Sequence, residues 1–134
     1  MKKRYLALLA CVLLISSCAW YDPAEEAETE SPYVLYFQER NLEQAAGAGA
    51  LRRESADLAE TEGMETSQIA EILMVELLAG PSDETLKRTI PAGTTMSSLS
   101  IEGTRAIVDL NSTYGVLSGI SLTMADQSIA LTLT

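Results

Sequence analysis

The chain has 134 residues with 19 acidic against 9 basic side chains, no histidine, two cysteines and 47% apolar content. That length accommodates one domain. A net charge of -10, with no Lys/Arg stripe and interleaved aromatics to offset it, makes nucleic acid a poor partner. Without histidine a Ser-His or Cys-His nucleophile pair is impossible, and zinc is excluded in practice.

The N-terminus reads as an export signal over residues 1–17. Met1-Lys2-Lys3-Arg4 is a basic start, and Tyr5 to Ile15 is an apolar run of 11 residues, well short of the roughly 20 that span a bilayer as a helix. Ile15-Ser16-Ser17-Cys18 resembles the bacterial lipobox: a branched apolar residue, two small residues and a cysteine. The resemblance implies that the Cys18 thiol receives diacylglycerol and becomes residue one after cleavage. Cys11 follows Leu8-Leu9-Ala10, but a site there would halve the apolar run, so it reads as filler of the signal. Each buried methylene contributes about 0.8 kcal/mol, which makes a two-chain anchor stable where one chain holds only marginally. The expected location is therefore the outer face of the cell membrane, held by lipid. Removal of the signal takes Lys2, Lys3 and Arg4 with it and leaves 6 basic against 19 acidic residues, a charge of -13. It also removes Cys11, so no disulfide is expected.

Residues 18–32 read as an acidic tether, with Asp22, Glu25, Glu26, Glu28 and Glu30 together with Pro23 and Pro32, a composition that extends and cannot bury much apolar area. Trp20 and Tyr21 fit either the membrane interface or an exposed linker. The domain is expected over 33–134. Tyr33 to Phe37 (YVLYF) is an aromatic and branched strand, apolar on both faces and hence central in a sheet. Residues 38–65 are charged and solvated, with a short strand or a helical turn between Leu51 and Leu58. Within them Ala45-Ala46-Gly47-Ala48-Gly49-Ala50 is a flexible loop, since it lacks the Lys-Ser/Thr end of a phosphate loop.

A helix is predicted from Thr66 or Ser67, either of which can cap it, to Ala79. Ile69, Ile72, Leu73 and Leu77 form its apolar stripe, widened by Met74 and Leu78, which core packing explains. Gly80 can adopt the left-handed conformation that closes a helix, and Pro81 cannot continue one. Asp83 and Glu84 read as surface charges or a turn cap. Ile90-Pro91-Ala92-Gly93 holds Ile90 extended and lets Gly93 reverse the chain. Met96, Leu99 and Ile101 then lead to Glu102-Gly103, a two-residue hairpin signal, and Ala106, Val108 and Leu110 carry the return strand with Ile107 and Asp109 on its other face.

Taken together, Leu77-Leu78-Ala79-Gly80-Pro81, Ile90-Pro91-Ala92-Gly93-Thr94 and Ala106-Ile107-Val108-Asp109-Leu110 with Asn111-Ser112 resemble the GerMN domain of sporulation and spore-germination proteins. The resemblance runs from about Pro32 to Thr134, one copy of the domain. It implies Gly80, Pro81, Pro91, Gly93 and Asp109 as structural marks of the family. It also implies that members continue past Thr132-Leu133-Thr134 into one more strand, which is expected to be absent here.

Asn111 to Gly115 is a polar turn, and Thr123 with Asp126 three residues on resembles a capping box for a second helix through Leu133. Leu122, Ala125, Ile129 and Leu133 would face inward. Alternation of Ile129, Leu131 and Leu133 also fits a strand, but the cap and the family pattern favour helix. The expected class is α/β of the α+β kind: a small β-α-β-β-α sheet with helices packed on it, one strand short of the split β-α-β form and so with an exposed edge.

Carboxylate pairs such as Asp109 with Glu102 or Glu76 are the remaining catalytic option, but Asp109 ends a strand and serves the turn after it, so no enzyme and no cofactor are expected. No calcium-loop spacing accompanies Asp83 and Glu84, and no metal site is expected. Two functions fit. The first, which the resemblance favours, is a membrane-tethered interaction module that joins envelope or sporulation proteins, with a homo-oligomer as one form. The second is a ligand-binding lipoprotein for a cell-wall fragment or germinant-like molecule, with Thr94, Asn111 and Ser112 as candidate contacts beside Thr95, Ser97 and Thr113. Aromatic walls would be expected beside such a polar rim, and past Phe37 only Tyr114 is aromatic.

Overall fold

In a computed structural model of the chain, the residues described are 31–41, 50–58 and 61–134. The expectations for the signal segment, Cys18, most of the tether and the loop at residues 45–49 fall outside them. The elements are β1 (Val34–Glu39), β2 (Leu51–Ser55), α1 (Thr66–Ala79), β3 (Leu86–Lys87), β4 (Met96–Glu102), β5 (Arg105–Leu110), a 3-10 turn at Tyr114–Val116, and α2 (Gly119–Thr132). The class is α+β, as expected. The strands divide into two antiparallel sheets, β2-β1-β3 and β4-β5.

β1 is central, as its two-sided apolar pattern predicts. Leu35 and Phe37 are buried on one face with Glu39, whose carboxylate pairs with Arg52 at 3.2 Å. The segment after Leu51 is strand, not helical turn, in register with β1 from Val34 opposite Ser55 to Gln38 opposite Leu51. β3, like β2, is an addition to the expected β-α-β-β-α order, and the strands form two sheets where one was expected. β3 is only two residues long, and Arg40 holds it: its Nε donates to Glu84 O at 3.0 Å and its guanidinium to Leu86 O at 3.0 Å. No hydrophobic period announces a strand made this way.

α1 spans the predicted residues, but its cap differs. Glu65, not Thr66 or Ser67, is the N-cap, forming a reciprocal box with Gln68, whose Oε1 accepts from Glu65 N–H at 2.9 Å. The buried stripe is Ala70, Leu73, Met74 and Leu77, at i, i+3, i+4 and i+7, while Ile69, Ile72 and Leu78 are half-buried. The helix is turned slightly from the expected face because it packs against both β1 and β4. At its end Gly80 has φ 95 and ψ 172, a region that belongs essentially to glycine and is not the left-handed helical well expected of it. Arg88 donates to Leu78 O and Ala79 O, closing carbonyls that a helix end leaves open.

At Pro91–Thr94 the Thr94 N–H donates to Pro91 O at 3.1 Å, and Gly93 has φ 88, the third-position conformation of a type II turn. The hairpin loop is Gly103-Thr104, one residue later than the Glu102-Gly103 predicted. Glu102 and Arg105 face each other as the last pair of the ladder, and Gly103, at φ 63, takes the first loop position, where a two-residue hairpin requires a positive φ.

α2 starts at Gly119, four residues before the predicted Thr123, and the expected capping box is not made. The Thr123 hydroxyl donates back to Gly119 O at 3.3 Å, and Asp126 is engaged elsewhere. The fully buried line of α2 is Ala125, Ser128 and Thr132, while Leu122, Ile129 and Leu133 are half-buried. The two hydroxyls explain this correction. Beyond two-residue β3, the free edge of β1 at Tyr36 is met by α2: Ser128 Oγ–H donates to Tyr36 O, Tyr36 N–H donates to Thr132 Oγ1 at 3.3 Å, and Thr89 Oγ1–H donates to Ser128 Oγ at 2.8 Å. A helix thus satisfies a strand edge with side chains.

Candidate functional site

The β4-β5 hairpin is where the fold leaves backbone groups open. In an antiparallel pair, residues alternate between exchanging hydrogen bonds with the partner strand and turning them away. The two-residue loop makes Glu102 and Arg105 a bonded pair, and Asn111 N–H donates to Thr95 O at 3.0 Å further along. Odd-numbered positions of β5 therefore bond to β4. Ala106, Val108 and Leu110 point their N–H and C=O groups to the opposite side, where no element lies in substantial contact among the described residues.

Beneath this edge runs a groove of about 450 Å³ between β5 and α2, floored by Val108, Leu110, Ile129 and Leu133. Tyr114 closes one end, its hydroxyl donating to Asp126 Oδ1 at 2.6 Å. This bond ties the 3-10 turn to α2. Burial, and then the hydrogen bond to Asp126, raise the Tyr114 phenol well above its usual range. A raised folded value means that the stabilisation is fully present below the unfolded value of about 10 and is lost as pH rises through the folded one. Melting temperatures read between pH 8 and 11.5 are expected to fall less steeply in Tyr114→Phe than in the unaltered chain. Parallel curves would place the alkaline sensitivity elsewhere.

The residues singled out from the sequence separate into two groups. Gly80, Pro81, Pro91 and Gly93 sit at the two turns described above. Thr94 and Asn111 are brought together at the second turn, where Asn111 Nδ2–H donates to Gly93 O at 3.0 Å, and Ser112 is exposed in the lead to the 3-10 turn. Thr94 Oγ1 and Asn111 Oδ1 are buried without a hydrogen-bond partner among the described residues, yet none of the three residues lines the groove beneath β5 or the others beside β1, below the Gly80 turn and at the start of α2. The polar rim is not assembled around a cavity there.

Asp109 is exposed on the outer face of the hairpin, opposite Ser98. Glu102 lies four positions along the ladder, about 13 Å away at 3.3–3.4 Å per residue, too far for a paired-carboxylate site. Asp83 Oδ1 accepts from Thr85 N–H and Thr85 Oγ1–H at 2.7 Å, which makes it a turn cap and lowers its pKa. Among the described residues no three His, Cys, Asp or Glu side chains gather at one point, and no helix is long and apolar enough to cross a membrane. Sequence reasoning missed Arg88, Ser128 and Thr132. Their only signal was polar character at positions that a periodic reading assigns to solvent.

A comparison with curated proteins finds no match, and neither does one with solved structures. A family model does match, over residues 34–134, which takes in all five strands, both helices and the open edge. Its description is "Germane: Sporulation and spore germination", and by that match the chain belongs to the Germane family.

Proposed function

We propose that this protein is a lipid-anchored, extracytoplasmic interaction module of the sporulation or germination apparatus, without catalytic activity, that works through the open edge of β5. The observation that carries this reading is the edge itself: Ala106, Val108 and Leu110 direct backbone groups away from β4, toward no neighbouring element among the described residues, above an apolar groove. An extended segment added there would gain main-chain hydrogen bonds from the edge and side-chain contacts from the groove, the mode known as strand addition. The anchor rests on Ile15-Ser16-Ser17-Cys18, and the acidic residues 18–32 would hold the domain off the bilayer.

A photoactivatable residue placed at Ala106, with Glu71 on the exposed side of α1 as control, tests the reading in membranes of cells that make the full chain. Protein adducts at position 106 and not at 71 are expected, and Cys18→Ser should release the chain from the membrane fraction. Equal yields at both positions, or adducts with wall fragments alone, would contradict an interaction edge. Retention of Cys18→Ser in membranes would contradict the lipid anchor.

A further inference from the structure

The edges of the two sheets are not treated alike. β1 is covered by the Ser128 and Thr132 hydroxyls, β2 carries Arg52 and Arg53, and β4 has an irregularity between Met96 and Ser98 and lies against α1. Covering, cationic side chains and bulges are the devices that prevent edge pairing. β5 has no cover among the described residues and no bulge of its own, and its one cation, Arg105, stands at the loop end of the strand. The strand is regular from Arg105 to Leu110, with no proline and no lysine.

From this we infer that the occupant of the β5 edge is the β5 edge of a second copy, paired antiparallel about a twofold axis at Ile107. The inference deepens the reading of an interaction module and rests on it. The sequence of the strand, Arg105-Ala106-Ile107-Val108-Asp109-Leu110, is complementary to itself in this register. Ala106 meets Val108 of the other copy, and both have their backbone groups on the free side, so they form bonded pairs. Ile107 meets its own twin in a non-bonded pair, where side chains approach most closely, and it is a 48% exposed apolar residue on an otherwise polar face. Arg105 meets Asp109 twice, once on either side of the axis, and both residues are exposed on that same face.

Alternatives are poorer. Shifting the copies to the neighbouring bonded registers sets Ile107 opposite Arg105 or opposite Asp109. A parallel pairing in register sets Arg105 beside Arg105 and Asp109 beside Asp109, which is unfavourable. A twofold contact of one surface patch with itself is the commonest way in which identical chains associate. Charge complementarity therefore selects both the partner and its register, despite a net charge of -10 that would otherwise keep copies apart.

Cysteine trapping tests this on the full chain with Cys11 and Cys18 replaced by serine. Opposed residues of a non-bonded antiparallel pair stand about 4.5 Å apart at Cα, within disulfide range. Ile107→Cys is expected to form a disulfide-linked dimer under mild oxidation at least tenfold faster than Ser100→Cys, which is exposed on the same face across the ladder. In the Ile107→Cys chain, Arg105→Asp or Asp109→Arg alone should slow trapping tenfold or more, and the two together should restore it. Equal trapping at positions 107 and 100, or failure of the double exchange to rescue, overturns the inference. An absence of trapping combined with position-106 adducts to an unlike protein also overturns it while leaving the interaction module standing. Failure of both experiments removes both readings.

Discussion

Phe37→Ala is expected to lower the stability of the domain by about 3–5 kcal/mol. Phe37 is completely buried in the middle of the central strand β1 and belongs to the same apolar cluster as Leu73, Met74 and Leu77 of α1 and Leu99 of β4. Removing the ring leaves a cavity where both sheets and α1 converge, and neither sheet can close on it without breaking the register of β1. For a domain of this size the fall in Tm is roughly 15–30 °C. Val75→Ala serves as the comparison, since Val75 is 55% exposed on the same α1 helix, and its effect should stay within about 0.5 kcal/mol. Equal losses at the two positions, read by thermal unfolding, would mean that the core is not centred on Phe37.

Gly80→Ala is expected to cost about 2–4 kcal/mol through two causes that act together. A side chain at φ 95 and ψ 172 is strained whatever surrounds it. In addition, its Cβ would stand 2.8 Å from the Arg88 guanidinium, which must move and give up the Leu78 and Ala79 carbonyls. Because both changes strike the same contact, Gly80→Ala combined with Arg88→Ala should cost clearly less than the two single losses added. Additive losses in denaturant titration would show that the backbone strain alone matters and that Arg88 does not cap α1.

The parts of this fold that were legible in the sequence are those governed by local rules. Gly80-Pro81 marks the end of α1 to the residue, and Ile90-Pro91-Ala92-Gly93 marks the turn, because glycine and proline restrict the backbone wherever they stand. The apolar alternation of the hairpin likewise places β4 and β5, although the loop lies one residue later, with Gly103 at φ 63 as its first residue. What escaped depends on partners distant in the chain. β3 exists because Arg40 reaches the carbonyls of Glu84 and Leu86, more than 40 residues on. The inward face of α2 escaped because Ser128 and Thr132 are buried for their hydroxyls, which answer Tyr36 across more than 90 residues. A hydrophobicity pattern has no term for that.

The candidate site was legible only in kind. An exposed sheet edge was expected, but periodicity cannot say which strand will lack a neighbour. That follows from the hydrogen-bond parity of β5 and from α2 covering β1. The polar residues proposed as a ligand rim, Thr94, Asn111 and Ser112, gather at the turn before β4 and in the lead to α2, where Asn111 ties the hairpin to Gly93.

The most direct measurement of the central claim is amide hydrogen exchange along β5, compared between the chain held in its native membranes and the same chain extracted and diluted. If the edge is the working surface, the Ala106, Val108 and Leu110 amides exchange slowly in the membrane and at least tenfold faster after dilution, while the Ile107 and Asp109 amides, bonded to β4, change little. Fast exchange at Ala106, Val108 and Leu110 under both conditions would mean that nothing pairs with this edge, and the account would be wrong.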